Sequence, residues 1–294
     1  MNTQAQNIES VMSGSSTISP SGSRPLEHRP EAWGAVASDY HAFAGNVTRP
    51  FAEDAARLVH IGEGTRVIDV AAGTGNFTFA AAGRGAKVLA TDFSSEMIDY
   101  LRAEAERRGL AGNVRAEVMD GQRLGVDDAS FDVSASIFGV LFFPDPDQGL
   151  RELSRVLIPG GRAVVSTWAP PPRGEMGRIM GDAIAKAMPN LTPPSQSPAW
   201  AALGDATSFR QRLLSNGFSR AHVVELRHVW VFDRLESFTA LLARAAPPAV
   251  AMFEAMTPDQ RATFRDAVVE DFRSRQGDGP YAVTHEGMIA VATK

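Results

Sequence analysis

The chain has 294 residues, 44% hydrophobic and 21% charged, which is enough to bury a large core without covalent staples. With 29 Lys and Arg against 34 Asp and Glu, the net charge is −5, so no positive field favours nucleic acid or an anionic membrane surface. Cysteine is absent, which excludes disulfides, thiolate metal sites, iron–sulfur clusters and every cysteine nucleophile.

No run of about 18 apolar residues occurs, and no basic flank leads into an apolar core at the N-terminus. The expectation is a cytoplasmic protein with no membrane insertion. Residues 1–30 are rich in Ser, Gly, Thr, Gln, Asn and Pro and carry almost no apolar period, which predicts a disordered leader. Residues 31–294 read as one domain. Its first helix begins near Glu31, with Trp33, Val36, Ala37 and Tyr40 at helical spacing. A second covers about Pro50 to Val59.

From Thr65 onward, strands alternate with helices. Val67 to Val70, Lys87 to Thr91, Val114 to Val118, Phe131 to Ile137 and Arg162 to Trp168 read as strands. Ser95 to Arg107 and Gln148 to Leu157 are the clearest intervening helices. This alternation predicts βαβ units and an α/β, doubly wound, mostly parallel sheet with both faces covered. Beyond Trp168, a Met- and Ala-rich helix follows Pro170 to Pro172, and a Pro/Ser segment reaches Pro198. Ser208 to Ser215 is a helix closed by Asn216-Gly217. Val223 to Phe232 is a sixth strand, 234–275 is helical with a capping box at Thr257 to Gln260, and Met288 to Thr293 is a seventh strand in a final hairpin. Insertions at about 170–204 and 233–280 are expected to form a helical cap.

The informative segment is Asp69-Val70-Ala71-Ala72-Gly73-Thr74-Gly75-Asn76, where two glycines stand between the first strand and a helix. Asp92 ends the second strand, where a carboxylate can accept both hydroxyls of a ribose. Asp120, before Gly121, follows the third strand and is placed to accept from an exocyclic amine. Ser136 to Gly139 end the fourth. In an open doubly wound sheet these carboxyl ends line one crevice. A dinucleotide loop wants a third small residue where Thr78 stands, and its pyrophosphate would be repelled by Asp69. A ligand bearing an ammonium group favours that acid. Adenosine joined to an amino acid therefore fits better, and S-adenosylmethionine has that constitution.

On the stretches VIDVAAGTGNF, VLATDFSSEMIDYLR, MDGQRL, FDVSASIFGVLFFPD and LRELSRVLIPGGRAVVSTW, the chain resembles the class I S-adenosylmethionine-dependent methyltransferases. Within them it is most similar to the ubiquinone/menaquinone-type small-molecule branch. The resemblance implies a Rossmann-like seven-stranded sheet and S-adenosylmethionine as cofactor. It implies that Asp69 and the backbone from Ala71 through Gly73 to Gly75 hold the methionine end. It also places Asp92 on the ribose, Phe93 and Met97 on the adenine ring, Asp120 with Gly121 at the adenine amine, and Ser136 to Phe138 on the near side. Ala71 stands where the family often has glycine; a helical or extended backbone there would tolerate its β-carbon.

An in-line methyl transfer needs alignment and water exclusion more than acid–base work, and a base only if the nucleophile arrives protonated. His41, Tyr40 and His222 are candidate bases; His228, Glu225 and His285 lie on or beside the last two strands. No cluster of His, Asp and Glu has metal-ligand spacing. The cap segments carry Met176, Met180, Met188, Trp200, Phe238 and Phe253, which suggests a small hydrophobic or aromatic acceptor. A nicotinamide-dependent oxidoreductase and a non-catalytic binder of S-adenosylmethionine are the rival readings.

Overall fold

The computed structural model describes residues 25–169, 174–191 and 203–294. Most of the expected leader (1–24), residues 170–173 and the segment 192–202 with Trp200 lie outside the described residues. Residues 25–30, inside the segment read as a leader, have a defined place: Leu26–His28 form a 3-10 turn.

Three helices precede the sheet: α1 (Pro30–Ala35), α2 (Ala37–Val47) and α3 (Arg49–Leu58). The single N-terminal helix expected from Glu31 is broken at Val36, whose backbone (φ −107°, ψ 3°) turns the chain between α1 and α2. The strands are β1 (Arg66–Val70), β2 (Lys87–Asp92), β3 (Val114–Val118), β4 (Phe131–Ile137), β5 (Leu157–Trp168), β6 (Arg220–Phe232) and β7 (Tyr281–Thr293). Their order is β3-β2-β1-β4-β5-β7-β6, with β7 antiparallel to both neighbours and the other pairings parallel. This is the expected seven-stranded, mostly parallel sheet. Its order reverses between β1 and β4, and that topological switch opens a crevice at the carboxyl ends of the strands.

Covering helices are α4 (Asn76–Ala82), α5 (Ser95–Arg107), α6 (Pro146–Arg155) and α8 (Ala206–Ser215). The central strands are buried on both faces, so Val67, Ile68, Val164 and Val165 read as continuous apolar runs. Asp145 caps α6 by accepting from the Gln148 amide, and Gly217 takes φ +97° after α8.

β5 starts at Leu157, five residues before the expected Arg162, because Pro159 to Gly161 form an irregularity within the strand. Pairing with β4 jumps from Phe131↔Leu157 to Val133↔Arg162. β6 and β7 pair over 13 residues, and β7 begins at Tyr281 rather than Met288. The hairpin expected around His285 is absent: three helices, α9 (Leu235–Leu242), α10 (Pro247–Ala255) and α11 (Pro258–Gln276), separate the two strands. The helical segment expected over 234–275 starts anew at Pro258, at the capping box expected there, and is broken once more at Pro247. With α7 (Glu175–Ala187) these helices bury Ile179, Phe238, Phe264 and Phe272 against Tyr281 and Val283 of β7, a hydrophobic core distinct from that of the sheet.

Candidate active site

The turn after β1 is built around two buried acids. Asp69 is 1% exposed and its Oδ2 accepts from the Thr78 hydroxyl at 2.6 Å. Asp92, 6% exposed, accepts from the Gly73 amide through Oδ2 at 2.9 Å and from the Ser94 amide through Oδ1 at 3.0 Å. Burial pushes the Asp69 carboxyl up to about 7 and that of Asp92 to about 6, against the hydrogen bonds that lower both. Gly73 (φ +54°) needs glycine's freedom, and a β-carbon there would come 3.3 Å from the Tyr40 ring.

Ala71 departs from expectation. Its φ is +56°, neither helical nor extended, so its β-carbon is strained rather than tolerated. Phe138, at the end of β4, has φ +58° and is a second non-glycine residue in the same region. The two bends meet at Gly139, where an added β-carbon would stand 2.6 Å from the Ala71 Cβ.

A cavity of about 410 Å³ opens over these turns. Of the predicted cofactor residues, Ala71, Gly73, Asp92, Phe93, Met97, Asp120, Gly121 and Phe138 line it. Asp69 lies behind it, lining a recess of about 20 Å³ shared with Tyr40 and Thr74. Gly75 and Ser136 line neither space. Gly75 instead lets α4 and α5 approach, since a β-carbon would fall 2.7 Å from the Phe79 ring of α4 and 3.0 Å from Leu101 of α5. Asp120 is exposed at the rim and its Oδ1 accepts from the Gln122 amide at 2.9 Å.

The resemblance already implied a lid carrying Trp33 and Tyr40, which line the cavity, but sequence reasoning missed the rest of the walls and roof. Glu27, His28 and Pro30 line the cavity, as do Phe142 and Phe143 from the turn after β4. Glu27 is buried, and desolvation raises its pKa. Trp33 ties this segment down: its indole N–H donates to the Glu27 carbonyl at 3.0 Å, and its ring meets Tyr40 and Phe142 edge-on. The polar composition of 1–30 concealed this closure; the aromatic Trp33 downstream was the signal for it.

The three candidate bases separate. Tyr40 lines the cavity, and burial together with Asp92 and Asp69 pushes its phenol well above the ordinary range, so it stays protonated. His41, on the next position of α2, turns away and packs on Tyr100 with ring centroids 4.7 Å apart. His222 is exposed on β6. Neither histidine lines the cavity. Among the described residues no group of three or more His, Asp or Glu is placed to hold a metal ion.

Among the described residues the lining contains neither Lys nor Arg, although two acids lie buried beneath it. The Thr74 and Ser136 hydroxyls are buried without hydrogen-bond partners. Such a site suits a ligand that carries positive charge and polar groups at one end and a flat apolar group at the other.

Residues 68–165 match a family described as a methyltransferase domain. The chain is 37% identical over 142 residues to an uncharacterized protein of Mycobacterium tuberculosis, covering 48% of this chain and 50% of that one. It is 38% identical over 128 residues to the demethylmenaquinone methyltransferase of Thermus thermophilus, covering 43% and 57%. The chain thus spans about half the length of the curated relatives it matches. Among solved structures, the [4+2]-cyclase SpnF superposes with a TM-score of 0.56 at 15% identity, covering 92% of this chain and 97% of that one. The Bacillus subtilis protein YcgJ gives 0.54 at 15% identity, covering 83% and 98%. These structural likenesses establish the shared fold.

Proposed function

We propose that the chain, whose residues 68–165 match a methyltransferase domain, is a class I S-adenosylmethionine-dependent methyltransferase acting on a small, flat, largely apolar acceptor such as a phenol or quinol. The observation that carries this reading is the pair Asp69 and Asp92, buried under a cavity whose described lining supplies no Lys or Arg. S-adenosylmethionine brings an ammonium, a ribose diol and a sulfonium whose methyl is already electrophilic. Asp69, behind the Ala71–Gly75 turn, is placed to answer the ammonium, with the unpartnered Thr74 hydroxyl beside it. Asp92 already accepts two backbone amides and keeps lone pairs for a diol. Phe93 and Met97 offer an apolar face to a purine, with Asp120 and Gly121 at its edge.

The protein's work is alignment and exclusion of water. Trp33, Tyr40, Phe138 and Phe142 close the cavity with rings, and orientation of this kind is worth up to ~7–11 kcal/mol in well-aligned reactions. Tyr40, protonated and buried beside both acids, serves as a hydrogen-bond donor rather than a base. The relatives named as demethylmenaquinone methyltransferases and ubiquinone/menaquinone C-methyltransferases support a quinol-like acceptor.

A nicotinamide dinucleotide is disfavoured, because its pyrophosphate would face Asp69 and Asp92 with no Lys or Arg among the described lining residues. Calorimetric titration with S-adenosylhomocysteine, followed by transfer of radiolabelled methyl to a panel of phenols and quinols, tests the proposal. Binding and transfer are expected. Binding without transfer across the panel would instead indicate a non-catalytic cofactor-binding protein, and absence of binding would dismiss the reading.

A further inference from the structure

A continuous wall of rings leads from the cavity into the cap. Phe138 lines the cavity and stacks on Trp168, with centroids 3.7 Å apart and planes at 14°. Trp168 lies 6.4 Å from His285, and His285 lies 6.2 Å from Trp230. A second route runs along α2: Tyr40 lines the cavity, and Phe43, one turn on, meets Trp230 edge-on at 6.1 Å. Both routes converge beside His285 on the inner face of β7.

His285 is anomalous. It is 5% exposed, and its Nε2 is buried without a hydrogen-bond partner, which folded proteins seldom leave unexplained. Its cross-strand partner His228 is satisfied, since the His228 Nε2 pairs with Asp54 at 2.8 Å. Burial lowers the His285 pKa to about 4, with Glu175 opposing and His228 adding to the shift, so the ring is neutral near pH 7. A neutral imidazole nitrogen can donate or accept according to tautomer. Flanking indoles favour a flat ring, and a charged group would be poorly compensated there.

We propose that His285 is an acceptor-recognition residue: its Nε2 makes one hydrogen bond to a hydroxyl or carbonyl of a planar aromatic molecule lying against Trp168 and Trp230. Naming that molecule the acceptor rests on the methyltransferase reading; the binding site itself does not.

The test compares 2-naphthol with naphthalene, which lacks the hydroxyl, by equilibrium dialysis against the full-length wild type, His285→Phe and His285→Leu. Each is measured with and without S-adenosylhomocysteine, and thermal melts identify the variants that fold. Wild type is expected to prefer 2-naphthol at least fivefold. Either folded variant should bind the two probes within twofold of each other, with S-adenosylhomocysteine affinity within twofold of wild type. A naphthol preference that survives substitution overturns the proposal, as does absence of naphthol binding to wild type. If the preference depends on His285 but S-adenosylhomocysteine fails to bind, the site stands and the methyltransferase reading falls.

Discussion

Asp69 sets the pH response of the unliganded protein. Its carboxyl is raised to about 7 in the fold against about 3.9 in an unfolded chain. The fold therefore favours the protonated form, so the stability this group contributes is fully present below about pH 4 and is lost as pH rises toward 7. Asp69→Asn should raise the melting stability of the unliganded protein at pH 8 by roughly 1–3 kcal/mol and change little at pH 4.5. Binding runs the other way, since an ammonium needs the ionised acid. Wild-type affinity for S-adenosylhomocysteine should rise from pH 5.5 to 8, and calorimetry of Asp69→Asn should show a weaker, flatter profile. Asp92→Ala is expected to weaken the same ligand by about 1.5–3 kcal/mol per lost charged hydrogen bond. An unchanged dissociation constant would remove Asp92 from the site. The acids were legible in the sequence because each closes an apolar strand. The left-handed backbones of Ala71 and Phe138 were not, because residue type reports allowed conformations and neither residue prefers that one.

Among the elements, the first five strands were legible because short β-favouring segments alternate with helical periods, although β3 and β4 carry polar residues within them. The beginnings of β6 and β7 were hidden, since residues such as Glu286 and Gly287 interrupt the apolar signal while still pairing. Of the two helical breaks after β6, the one at Pro258 was legible from its capping box, while the one at Pro247 was lost within an apolar stretch. The capping box was read correctly: the Thr257 hydroxyl accepts from the Gln260 amide, and the Gln260 side chain accepts from the Thr257 amide. Phe272 of α11 is fully buried in the cap core and touches neither acid of the cofactor cavity. Phe272→Ala should cost about 3–5 kcal/mol, seen as a lower denaturation midpoint. Its S-adenosylhomocysteine affinity at 15 °C should remain near wild type, and a parallel loss of affinity would show the cap and cavity to be one cooperative unit.

For the whole molecule, the sheet order locates the crevice, and the proposal that its buried acids select the ligand is open to a thermal test. A ligand that binds only the folded state at a hundred times its dissociation constant adds about 2.7 kcal/mol. For a chain of this size that corresponds to a rise in melting temperature of roughly 4–5 °C. S-adenosylhomocysteine should produce such a rise and NADH none; the reverse pattern would favour the oxidoreductase. No described helix is long and apolar enough to cross a membrane.

The floor and roof of the cavity have unlike construction, and this separates how tightly a ligand is held from how quickly it exchanges. The floor is sheet-anchored: at the ends of buried strands, the Gly73 amide donates to Asp92 and the Thr78 hydroxyl donates to Asp69. The roof over Glu27 and His28 is a short strap, pinned to α1 by the Trp33 indole. Trp33→Phe removes that pin while leaving the floor untouched. Stopped-flow traces should then show association and dissociation of S-adenosylhomocysteine accelerating together, with their ratio changing far less than either rate. The strap is the cavity's clock, and the strand ends are its balance.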